Sequence, residues 1–269
     1  MSGGTRPGTG TGTGSGSGDS DSGGLDALLV SLQLTDSAFP SGMYTLSHGL
    51  EGFAQAKAVT PESVPLLLAD LLRHSVGPAD ATALALAHRA TVAGDWDALV
   101  EVDERLYASK LNRELRLASA RTGRQLLDTA VLALSGGDDG GPDDGGPDDG
   151  APDGIGPLAR YAGLVAAKRS PGCQPVAVGV VHAANRVPVD RAVASDLFAF
   201  CSSFVGAALR LRLTDHRRAQ VALRGVAPVI REVTAAALSR ELADIGGCTP
   251  VADVMSACHE RAQARMFAT

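Results

Sequence analysis

The chain has 269 residues, 45% of them hydrophobic but only 4% aromatic, enough for one large domain or two small ones around an aliphatic core. Its formal charge of -6 is local: seven aspartates between Asp138 and Asp153 fall in one Gly/Pro-rich stretch, and without them the rest stands at +1. A body so near neutral and without a basic stripe excludes a nucleic-acid surface, and four scattered cysteines with no CxxC pair exclude a disulfide framework and fit reduced thiols in a cytosolic protein.

Residues 1–24 are Gly/Ser/Thr-rich and cannot bury enough apolar surface to offset ordering, so they read as a disordered tail. From Leu25 the pattern turns helical, with Leu25–Gln33 a short apolar helix and the SAFPSG stretch, Ser37–Gly42, a turn. A second helix is expected over Tyr44–Lys57. A third, capped by Thr60 with Pro61 at its first position, carries Val64, Leu67, Leu68, Leu71 and Leu72 as an amphipathic stripe and stops near Gly77-Pro78. Asp80–Ala93 ends at Gly94, Asp95 caps the helix through Leu106, and a long helix over Leu111–Leu134 completes the first half.

The stretch from 136 to 156 repeats GGPDD and reads as a flexible acidic loop; it lacks the spacing and closing glutamate of a calcium loop. Beyond it, Leu158–Ala167 is helical. Val176–Asn185 is β-branched enough for a strand but is assigned to helix by its flanks; at nine or so residues, interrupted by His182, it is too short for a membrane span. Pro188–Leu213 is a long apolar helix, Thr214 or Asp215 caps another to about Ala243, and a last short helix starts at Asp253. The expected fold is all-α: a single-domain helical bundle over residues 25–269, with no membrane contact and no apolar export signal at its start.

Three places could carry chemistry. His48 and Glu51, three apart, would share one face of the second helix, a geometry open to an acid/base pair or a metal. No third ligand is implied, so no metal site and no catalytic residue is assigned. Cys258, His259 and Glu260 are consecutive, and neighbours on a helix point in different directions. His216 follows the capping Asp215. No phosphate-binding loop and no nucleophile elbow occurs. The competing readings are a helical metal-dependent hydrolase using His48, Glu51 and a distant His216 or His259, and a helical small-molecule regulator.

Four segments in order resemble one family. Leu34, Ser37, Ala38, Phe39, Pro40, Gly42, Tyr44, Ser47, Gly49, Leu50 and Glu51 match the N-terminal signature of UreF proteins, with Met43 and Thr45 in place of the usual Ala and Ser. Arg113, Glu114, Arg116, Ser119 and Gly123 match a second segment, and Leu211–Gln220 a third. Asp253, Ser256, His259, Glu260, Gln263, Arg265 and Phe267 match the closing one.

The resemblance implies an all-α, dimeric urease accessory protein without catalytic activity. It would bridge UreD (also called UreH) and the GTPase UreG on apo-urease, and gate GTP-dependent nickel transfer. The same likeness gives Tyr44, His48, Glu51, Arg113, Glu114, Arg116, His259, Glu260, Arg265 and Phe267 a partner-binding role, the closing segment docking on UreD. It also implies that no cofactor is tightly held, that nickel contact is at most transient, and that the location is cytoplasmic.

Overall fold

At the centre of the protein lies a helix with no polar face, α8 (Gln174–Ala184), whose residues from Pro175 to His182 are all buried. A helix apolar on every side must be enclosed on every side. Here α4 (Thr82–Ala93), α6 (Arg113–Leu134), α7 (Pro157–Ala166) and α9 (Val189–Arg210) enclose it. The crossing with α4 is close: a Cβ on Gly179 would lie 2.7 Å from the Leu84 carbonyl oxygen. The β-branched residues that suggest a strand are therefore a property of burial rather than of pleating. The computed structural model describes residue 1, residues 19–134 and residues 156–268, and no strand occurs among them.

The remaining helices are α1 (Asp19–Thr35), α2 (Leu50–Gln55), α3 (Val64–Leu71), α5 (Trp96–Ser109), α10 (His216–Ser239) and α11 (Pro250–Glu260). Helix α1 starts six residues ahead of the expected boundary at Leu25. The rest of the expected tail, and the acidic loop from 136 to 155, lie outside the described residues. Helix α9 is long and apolar enough by composition to cross a membrane, but α1, α4, α8 and α10 pack around it as around a core helix. Two expected caps form: Asp95 accepts from the Ala98 N–H at 3.0 Å, and Asp215 accepts from those of Arg217 and Arg218.

Both ends of the third expected helix differ from expectation. Thr60 is not a cap: its N–H donates to Ser63 Oγ at 2.9 Å in a turn, and helix begins only at Val64, with Pro65 in its first turn. At the other end, Gly77-Pro78 does not stop the chain. The helix widens to i→i+5 spacing over Leu72–Ala81 and runs straight on into α4. Pro78 has no N–H to give to the preceding turn. Around it, Cys248 N–H donates to His74 O at 2.8 Å and Gly246 N–H to Pro78 O at 3.2 Å. The connection from α10 to α11 thus braces the helix around the proline, and in doing so fixes where α11 begins.

Candidate functional site

Helix α11 and the residues after it lie against the segment that precedes and forms α2. That segment is not the single helix expected over Tyr44–Lys57. A short 3-10 turn, Met43–Thr45, is followed by extended Leu46 and a tight turn in which His48 and Gly49 both have positive φ (54° and 83°), before α2 starts at Leu50. His48 and Glu51 therefore do not share a helix face, and their side chains go to different partners. His48 packs on the Phe200 ring and meets Ser203 Oγ through Nε2 at 2.9 Å; because Ser203 donates to Met43 O, the imidazole is the donor. Burial, with Lys110 and Arg210 nearby, holds its pKa down to about 4, so the ring is neutral at physiological pH.

Glu51, only 4% exposed, holds the chain's far end. Its Oε1 accepts the Met266 N–H at 2.8 Å and Gln55 Nε2 at 3.4 Å; its Oε2 accepts the Phe267 N–H at 3.0 Å and His259 Nε2 at 2.8 Å. Burial pushes this carboxyl up, but the Met266 and Phe267 amides and the His259 ring outweigh it and hold it below its ordinary value. Further bonds seal the seam: Gln55 donates to Ala264 O at 3.1 Å and Ala268 N–H to Thr45 O at 2.9 Å. Helix α2 can approach α11 because residue 52 is glycine; a Cβ there would lie 2.4 Å from Met255 O.

The second signature segment joins the same cluster from the start of α6. Asn112 donates to Ser256 Oγ at 3.2 Å and accepts the Glu114 N–H at 2.7 Å. Glu114 pairs with Arg265, and its other oxygen faces His259 Nδ1 at 3.8 Å, neither of those two atoms having a hydrogen bond. The third segment contributes its neighbour Arg210, whose guanidinium carbon sits 4.1 Å from the Tyr44 ring centroid and 4.2 Å from that of Phe267. A cation between two aromatic faces is attracted by both. Six of the expected residues thus converge: Tyr44, Glu51, Glu114, His259, Arg265 and Phe267. Arg113 is exposed, Arg116 ties back to the carbonyls of Lys110 and Leu111, and Glu260 closes α11 half-exposed. His216 is exposed at the start of α10.

His259 and Phe267 are buried, whereas Tyr44, Arg265 and Met266 face outward. The cluster therefore presents a tail pinned from beneath, with an aromatic and two long side chains above. Among the described residues no group of three or more His, Cys, Asp or Glu could hold a metal ion. Sequence reasoning missed Arg210, which lies just outside the third segment, and missed Asp103 in the core, whose carboxylate accepts from Tyr161, Ser170, Gly172 and Cys173.

The chain is similar in sequence to known proteins. The sequence model of the UreF family matches residues 59–227. The urease accessory protein UreF of Rhodopseudomonas palustris (strain BisB18) is 32% identical over 231 residues, covering 86% of this chain and 87% of that protein. UreF 2 of Brucella canis is 30% identical over 248 residues, covering 90% and 92%, and UreF of Methylobacterium sp. (strain 4-46) is 31% identical over 240 residues, covering 89% and 87%.

Proposed function

The chain belongs to the UreF family of urease accessory proteins, and from that premise we propose that it is a non-catalytic scaffold for nickel insertion into apo-urease. In this reading it bridges UreD and UreG in the cytoplasm, works as a homodimer, and gates GTP-dependent transfer of nickel. The metal is cargo and touches this chain at most transiently.

The observation that carries the reading is the Glu51 clamp. It joins the first, second and closing signature segments, far apart in sequence, into one face whose exposed members are Tyr44, Arg265 and Met266. A buried carboxylate that spends its acceptors on backbone amides of a chain end is suited to hold a shape, not to move protons. Aromatic and arginine side chains held in a fixed array are the usual anchors of protein interfaces. UreD is proposed to dock on this face. Helix α1 offers a second surface: Leu25, Leu28, Leu29 and Leu32 are each about half exposed and share one side of the helix, an apolar stripe of the kind partners cover.

The test is capture of the tagged chain from a host carrying the urease genes. Recovery of UreD and UreG with the natural chain, and loss of UreD with Tyr44→Ala/Arg265→Ala, would support the bridge. Stoichiometric metal on the isolated chain, with no partner recovered, would overturn it.

A further inference from the structure

Between the tail cluster and the core lie two adjoining cavities, of about 140 and 410 Å³, that share Met43, Gln174 and Asp196 in their walls. Asp196 sits near the middle of α9. Its Oδ1 accepts from Gln174 Nε2 at 2.9 Å, its one hydrogen bond among the described residues, so the other oxygen is left to the cavities. Burial pushes this carboxyl up to about 6, with Asp80 adding to the rise and the Gln174 bond and Lys110 opposing it.

Lys110 is near enough to favour the charge, but no ion pair to Asp196 forms among the described residues. In the smaller cavity Lys110 is taken by Asp80 at 2.6 Å, His48 is neutral, and Asp253 is a second carboxyl that burial pushes up. In the larger one Asp36 offsets Arg210, which is held between its two rings, and His182 is driven down to about 4 by burial and stays neutral. Negative charge is therefore in surplus around Asp196. Its carriers are too dispersed to ligate a metal ion, so the matching cation must bring its own N–H donors. The larger cavity adds an apolar wall in Leu34, Phe39, Leu126 and Val178.

We propose that this two-lobed cavity binds a primary alkylammonium compound, with the ammonium on the free oxygen of Asp196 and a short alkyl chain along the apolar wall. This goes beyond the scaffold function and stands or falls apart from it.

Titration calorimetry of the full chain with n-butylammonium tests it. Saturable binding is expected near neutral pH, with n-butanol, the same chain without charge, at least about tenfold weaker. Asp196→Asn, which keeps a partner for Gln174, should weaken binding by about tenfold or more. One pH unit below the Asp196 pKa of about 6, the carboxyl is mostly protonated and affinity should fall about tenfold. No binding by the natural chain, equal affinity for n-butanol, or affinity unchanged by acid would each overturn the proposal. The last two need only the natural chain and decide the matter even where the variant fails to fold.

Discussion

Two buried carboxylates in this protein accept the same number of hydrogen bonds and do opposite things. Asp103, on α5, takes donors from Tyr161 of α7 and from Ser170, Gly172 and Cys173 in the turn before α8. Every partner is in the core, and the bonds lock a turn that must pass under α6, where a Cβ on Gly123 would lie 2.1 Å from Gly172 O. Glu51 also takes four donors, but two are backbone amides of the last residues of the chain, and the structure it fixes is a surface. The comparison teaches that saturation of a buried charge says where order is required, while the exposure of its neighbours says whether that order is meant for the interior or for a partner.

The largest effect should come from removing the interior node. Asp103→Ala leaves a buried hydroxyl pair and two buried amides without an acceptor, and should lower global stability by about 3–5 kcal/mol, read by denaturant unfolding. Next, Gly123→Val drives side-chain atoms into the same turn and should cost about 1–3 kcal/mol or displace the start of α8. Glu51→Ala should behave differently from both. Its loss falls on the tail, so global unfolding should move by only about 1–2 kcal/mol while residues 261–268 lose protection and UreD capture drops.

Acid gives a further handle on the clamp. The Glu51 carboxyl has a folded pKa below its unfolded one, so its contribution is present above the unfolded value and is lost as pH falls through the depressed folded value. Protection of the tail amides, measured against the open-chain rate at each pH, should therefore hold above the ordinary glutamate range and fall as acid passes through the depressed folded value. Smallest of all, Asp215→Ala removes the cap of α10 at an exposed site; it should fray the first turn, seen as faster exchange at Arg217 and Arg218, without touching either node.

How much of this was legible in the sequence follows the same division. Three of the four collinear segments point to the tail cluster because their residues face one another: Glu51 with His259, Glu114 with Arg265, Ser256 with Asn112. Spacing along the chain misled where local geometry decides. His48 and Glu51 look like helix neighbours, yet the left-handed turn at His48-Gly49 sends them apart. The Gly77-Pro78 pair looks like a stop, yet a segment about 170 residues later donates hydrogen bonds around it, something no local window can see. Asp103 was silent because an aspartate in a polar-looking helix reads as solvated; only the fold brings Tyr161 and the turn after Ser170 to it.

The most direct test of the clamp is hydrogen exchange of the Met266 and Phe267 amides in the full chain and in Glu51→Ala. Both amides donate to Glu51, so they should exchange slowly in the natural chain and near the rate of an open chain in the variant, with the α8 amides unchanged in both. Fast exchange at both amides in the natural chain, or protection that survives the substitution, would show that Glu51 does not hold the tail.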